Sequence, residues 1–260
     1  MIFTEFYVTL QAKTYFYTTM KQILLTLVAL CATMSIKAQT IEIYADGNKI
    51  ATYNNTSTSF QVVFKQTPIG RGTTIRTGGV YVNWVQLWED GPKFAEYNIG
   101  AAYNKAEDDG NHYTWGGSKD QDKTDYNTGS ETLSGNNDTA TKLWGSNWRM
   151  PTKAEFEALL NPDNCTFEWK ENYNNKGVNG LLITGKGAYE NNSVFLPAAG
   201  EYNGEYISMQ NIAGYYWSSN TKSIINSAEC MVLYVSYVIP QIESFYRREY
   251  GNSVRAVLAE

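Results

Sequence analysis

Only three cysteines and one histidine occur in the 260 residues. A zinc centre needs three or four closely spaced Cys, His, Asp or Glu ligands, and no such spacing exists here. A Ser-His-Asp or Cys-His hydrolase would have to use His112, but its neighbours Asn111 and Tyr113 carry no nucleophile signature. His112 therefore reads as a packed or exposed residue beside Trp115. Proline is scarce, at six residues, and charged residues make up only 18% of the chain. The longest apolar run, Ile23–Cys31, is far short of the roughly 20 residues that a membrane-spanning helix requires. There is no internal repeat and no coiled-coil heptad.

Tyrosine, glycine and tryptophan are plentiful, at 20, 21 and 7 residues. A chain 43% hydrophobic and 14% aromatic can bury a core, which argues against broad disorder. The formal charge is −5. An acidic surface repels phosphate, so neither nucleic acid nor an anionic lipid is an expected partner.

Met20-Lys-Gln before Ile23–Cys31, and Ile36-Lys-Ala38 before Gln39, have the layout of a secretory signal peptide. Residues 1–38 are set apart on that basis, with Met20 as the expected start and cleavage after Ala38. They carry Lys13, Lys21, Lys37 and Glu5, so the remaining chain is more acidic still. Export makes a disulfide between Cys165 and Cys230 chemically possible, and two buried free thiols fit equally well.

Residues 39–65 form a small β segment. Ile41–Tyr44 and Lys49–Tyr53 flank Asp46-Gly47, a strong hairpin signal, and Ser59–Phe64 adds a third strand. Residues 66–79 are rich in Gly and Thr and read as a linker. The main domain covers 80–258. Its strand candidates are 80–87, 94–100, 180–184, 193–196, 215–218, 231–238 and 253–258. The run Met231–Val238 is apolar without clean alternation, as expected of a strand buried on both faces. Residues 116–138 are expected to be a long surface loop.

One helix is sharply written. Thr152 and Glu155 form a T-x-x-E capping box, Phe156, Leu159 and Leu160 share a face, and Asn161-Pro162 stops the helix near 160. Around it lie segments that, in order, resemble one family. They are Phe94–Ala101, Glu107–Gly116, Trp148–Phe156, Asn164–Trp169, Gly177–Gly180, Val194–Gly200, Gly214–Ser219 and Gly251–Arg255. Together they resemble the Fibrobacter succinogenes major paralogous domain, found in secreted proteins of Bacteroidetes-type bacteria. Two positions depart from the family pattern: Gly91-Pro-Lys replaces a Gly-Thr, and Phe94 stands where Trp is common.

The resemblance implies an α+β fold of C-type lectin-like kind. That fold is a twisted antiparallel sheet with one or two short helices and long loops, here preceded by the β-hairpin segment. It also implies a non-catalytic binding or adhesion module, secreted or held at the cell surface, with a glycan or protein ligand. A structural surface component that binds other subunits is the alternative. An enzyme of the formylglycine-generating type is disfavoured, because that chemistry needs two cysteines close in sequence. Calcium-bridged sugar binding by lectins uses Glu-Pro-Asn or Gln-Pro-Asp with a later Trp-Asn-Asp, and none of these tripeptides occurs.

No cofactor is expected. A weak calcium-loop pattern places oxygens at Asp120, Asp122 and Glu131, but Asp125 occupies the position that needs Gly for the sharp turn. Trp115, Trp148 and Trp217 are expected in the core, with Arg149 and Arg255 as charge-paired structural arginines. Tyr202, Tyr206, Tyr246 and Arg247 are the ligand-contact candidates, in loops spanning 103–138 and 200–249.

Overall fold

The computed structural model describes residues 40–45, 48–54, 69–221, 226–237 and 239–259. The signal-peptide segment and the expected strand at 59–64 lie outside the described residues. The chain divides into two units, Met1–Gln66 and Thr67–Glu260. In the first, β1 (Thr40–Ala45) pairs antiparallel with β2 (Asn48–Asn54), Thr40 opposite Asn54, with a register shift after Ile43.

The second unit begins with β3 (Arg71–Arg76), β4 (Val80–Val85) and β5 (Phe94–Ala95). After a long irregular stretch come α1 (Thr139–Trp144), β6 (Trp148–Arg149) and α2 (Lys153–Leu159). Then follow β7 (Cys165–Tyr173), β8 (Val178–Gly185), β9 (Ser193–Pro197), β10 (Glu201–Tyr202) and β11 (Ile207–Ser208). The unit ends with β12 (Ala213–Thr221), β13 (Ser227–Tyr234), β14 (Gln241–Arg247) and β15 (Val257–Leu258). Strand outweighs helix, 39% to 10%, so the protein is mainly antiparallel sheet with few helices. No helix among the described residues is long and apolar enough to cross a membrane.

Among the described residues of this unit there are four sheets: β3-β4-β5-β15-β6, β7-β8-β9, β12-β13-β14 and the small β10-β11 pair. The expected linker is wrong for its central part, since Arg71–Arg76 is a strand paired along its length with β4. Its Gly-Thr content has a different meaning. Thr73, Thr74 and Ile75 are β-branched strand formers, while Gly78 and Gly79 both have φ near +80° in the turn to β4. The region 200–249 is likewise not mainly loop, because β12, β13 and β14 occupy most of it.

The β12-β13-β14 sheet lies between two apolar clusters. Trp217, Cys230 and Val232 belong to one, which also holds Trp115, Trp144 and Trp148. Tyr216, Met231 and Leu233 belong to the other, with Phe156, Leu159 and Leu181. Successive side chains on a strand point to opposite faces, so a strand covered on both sides must be apolar without interruption. β13 has that character from Ala228 to Leu233, but the expected run 231–238 holds it only at 231–233: the strand ends at Tyr234, and Val235 and Ser236 are exposed in the turn that follows.

Helix α2 begins as the sequence indicates. Thr152 Oγ1 accepts from the Glu155 N–H at 3.2 Å, and Glu155 accepts from the Thr152 N–H at 2.7 Å, closing the capping box. Arg149 grips the same carboxylate with both terminal nitrogens, at 2.7 and 2.6 Å. Desolvation pushes the Glu155 pKa up, but the Arg149 and Thr152 bonds outweigh it, and the net position is below the ordinary value of 4.5. A depressed carboxylate contributes stability that is full above the unfolded pKa and lost as pH falls through the folded one. Glu155→Gln is therefore expected to lower stability at pH 7 and to flatten its decline below about pH 4.5. Urea titrations at several pH values read this out, and parallel acid limbs for the two proteins would contradict it.

The stretch 116–138 is the expected surface loop, irregular and largely exposed, but it is pinned at several points. Trp115, Gly116, Gly117 and Leu133 are buried, the Leu133 N–H donates to Ser219 O, and Thr114 Oγ1 donates to Asp125 O at 2.6 Å. Arg248, 3% exposed, completes the attachment by donating to Asn127 O and Gly129 O while its guanidinium lies 4.3 Å from the Trp115 ring centre. The stretch ends at Asp138, whose buried carboxylate caps α1 through the Thr141 N–H and also accepts from the Met150 N–H. Burial pushes that carboxyl above its usual range despite these donors.

Arg255 is charged but not charge-paired as expected. It is fully buried and donates to three neutral acceptors: Asn98 Oδ1, Ala95 O and Phe195 O, at 2.9, 3.0 and 2.9 Å. Arg149, by contrast, has the carboxylate partner the sequence suggested.

Candidate functional site

The four ligand-contact candidates come out differently. Tyr246 is on β14 and Arg247 follows it, so the two side chains leave opposite faces of the strand. Tyr250, in the turn beyond, touches both. Its ring centre is 6.0 Å from that of Tyr246, edge on, and 5.6 Å from the Arg247 guanidinium. Arg247 Nε also pairs with Glu249 at 3.1 Å. Tyr246 is half-buried rather than free in a loop. Its ring packs 5.3 Å from Tyr215 and 5.7 Å from Trp217, which is fully buried.

The hairpin β10-β11 docks on this group. Tyr202 pairs its backbone with Gly251 in both directions at 2.8 Å, which places β10 beside the Tyr250 turn. Glu201 then reaches Tyr246, whose hydroxyl donates to its carboxylate. Because Glu201 and Tyr202 are successive strand residues, Tyr202 points away from the Tyr246 group. Tyr206 lies at the hairpin tip, 61% exposed, beside Asn203 Oδ1, which accepts its N–H. Tyr246 and Arg247, on opposite faces of β14, are thus linked at the strand end by Tyr250, while Tyr202 and Tyr206 lie on the adjoining hairpin.

The sequence reading missed Glu201, Tyr215 and Tyr250. Tyr215 lay inside a motif read only as strand, and period-two alternation was the signal: it puts Tyr215 on the face of Trp217 and Tyr216 on the other. Desolvation raises the Glu201 carboxyl above its usual range, with the Tyr246 bond opposing. Burial, and then the Glu201 charge, push Tyr215 up to about 12, and Tyr246 is pushed far above the ordinary phenol value. Tyr215 and Tyr246 thus stay protonated across the physiological range. The site therefore offers aromatic faces, hydroxyls, the Glu201 and Glu249 carboxylates and the exposed Arg247 guanidinium.

The calcium pattern is not assembled. Asp120 Oδ1 accepts from the His112 N–H at 2.8 Å, and Asp122 Oδ1 accepts from the Thr124 N–H and hydroxyl. Glu131 is exposed, and no group of three His, Cys, Asp or Glu among the described residues is placed to hold a metal ion. Asp125, where Gly was needed, receives the Ser118 and Lys119 N–H groups instead. His112 is buried at 2% exposure, its Nε2 3.0 Å from Ala199 O.

Cys165 and Cys230 are both buried free thiols, so the disulfide alternative is set aside. The two sit in different apolar clusters. Burial pushes the Cys165 thiol up to about 12 and Cys230 well above its ordinary value, so neither is a ready nucleophile.

Comparison with protein-family models, with curated proteins and with solved structures finds no match for this chain.

Proposed function

We propose that this chain is an exported, non-catalytic binding or adhesion module, secreted or held at the cell surface. Its second unit is taken as a C-type lectin-like domain of the Fibrobacter succinogenes major paralogous kind, as the ordered motifs suggest. The observation that carries the binding reading is the surface of Tyr215, Tyr246, Tyr250 and Arg247, with Glu201 bonded beneath it. Tyrosine gives a large, rigid, amphipathic contact at low entropy cost, and Tyr and Arg are enriched where proteins meet. Most of these side chains are already held by one another, so little order is lost on binding. A protein ligand suits this face best.

The test is a screen of the exported chain against cell-surface proteins and immobilised glycans, with and without calcium. A saturable protein ligand is expected. The double variant Tyr250→Ser, Arg247→Glu should then bind at least about tenfold more weakly, in line with the loss of one interface anchor. Wild-type affinity in that variant, or no saturable ligand in the screen, would overturn the reading.

A further inference from the structure

Another part of the second unit carries two clefts that share a lining residue. Two clefts, each of about 240 Å3, meet at Arg149, which lines both. Each alone is smaller than the roughly 300–1,000 Å3 usual for small-molecule sites, so a ligand of ordinary size has to span both. Trp88 and Pro92 line the first cleft, opposite Ala154 and Ala158. These two alanines are four apart on α2 and therefore share a face, leaving room where larger side chains would fill it.

Trp88 is held in place. The segment Trp88–Gly91 is a tight turn closed by the Gly91 N–H on Trp88 O at 3.1 Å, with Asp90 at φ 59°. A Cβ on Gly91 would lie 2.6 Å from the indole, so only glycine lets the backbone press this closely on the ring. An aromatic ring fixed before binding costs little to order.

The second cleft has a different lining. Leu133 and Met150 provide its apolar part, and Thr132, Ser134, Ser146 and Ser219 bring hydroxyls. Between the two clefts stands the bidentate Arg149–Glu155 pair. Since each of these charges already has its opposite, an ionic ligand would have to break the pair, at the cost of leaving a partly buried charge uncompensated. A neutral ligand with many hydroxyls can instead bond around it. Asp90, exposed at the first rim, adds acceptors of the same use.

We propose that this groove binds a neutral oligosaccharide, one pyranose ring against Trp88 and the next across the Arg149–Glu155 pair toward the hydroxyl-lined cleft. The apolar C–H face of a pyranose matches an aromatic ring, and its hydroxyls match planar charged pairs and Ser/Thr side chains. This assignment is independent of the tyrosine face, which is built from other residues.

The experiment titrates the exported chain with neutral trisaccharides of glucose, xylose, mannose and N-acetylglucosamine, and with an acidic trigalacturonate. Tryptophan fluorescence and calorimetry report binding. At least one neutral trisaccharide should bind saturably, and the acidic one at least about tenfold more weakly. Ala154→Phe fills the first cleft from an exposed helix position, so it should keep the wild-type melting temperature while weakening binding about tenfold or more. Trp88→Ala should weaken it as well, and unfolding of that variant would leave Ala154→Phe to decide. Absence of binding by every neutral trisaccharide, equal binding of trigalacturonate, or unchanged affinity in a folded Ala154→Phe would each overturn the assignment.

Discussion

Arg255→Met is expected to destabilise the protein by about 3–5 kcal/mol, on the order of what leaving up to three buried acceptors without their donor costs. The residue is fully buried, and its guanidinium is the shared donor for Asn98 Oδ1, Ala95 O and Phe195 O. Methionine fills much of the same volume, so the cavity contribution is small. What remains is up to three buried acceptors losing a charged donor, each worth about 1–3 kcal/mol when left unsatisfied. For a unit of this size, about 2–4 °C of melting temperature is lost per kcal/mol, so a fall on the order of 10 °C is expected. Burial lowers the Arg255 pKa only to about 10, which leaves the side chain charged at neutral pH. Lysine should not rescue it, because one ammonium cannot reproduce a planar fork aimed at three oxygens on two separate segments. Thermal and urea unfolding measure this directly. A methionine variant within about 1 kcal/mol of wild type would mean that Arg255 contributes little beyond its volume.

Trp148→Ala is expected to cost a comparable amount, about 3–5 kcal/mol, as for other buried aromatics truncated to alanine. Here the loss is mostly packing. The Trp148 ring is fully buried and meets Trp144 edge on at 5.4 Å, and Trp144 in turn meets Tyr97 at 5.6 Å. Its indole N–H also donates to Ile75 O on β3, so the side chain spans the sheet from β6 to the opposite edge strand. Trp148→Phe keeps an aromatic ring but drops that bond, and a smaller loss of about 1–2 kcal/mol is expected. Equal destabilisation by Ala and Phe would place the effect in the N–H bond rather than in the packed ring.

Both residues lie in segments that the sequence marks out, yet the two were not equally legible. Trp148 as core followed from its place in the motif Trp148–Phe156. Arg255 was read as charge-paired because a buried cation usually has a carboxylate partner. In the folded chain, two backbone carbonyls and an asparagine from distant positions converge on it instead, and no local pattern encodes that convergence. The ligand candidates show the same division. Tyr246 and Arg247 could be selected by residue type and polar context. Their joining through Tyr250, and the Glu201 bond beneath Tyr246, depend on how β10 returns beside the turn after β14. The loop at 116–138 looked free because its residues are small and polar, whereas Arg248, about 120 residues later, fixes it to Trp115.

By itself the sequence determined what is decided within a few residues. The Thr152–Glu155 capping box, the end of α2 before Pro162, and the strand buried on both faces at β13 all follow from contacts or periodicities of short range. Only the tertiary structure decided which strands are neighbours, that residues 71–76 are one of them, and that the two thiols lie in separate clusters. It alone brought Trp88 opposite Ala154 and Ala158 across Arg149. The physical reason is that capping and alternation are local free energies, while pairing, clefts and buried polar partners arise from segments far apart in the chain.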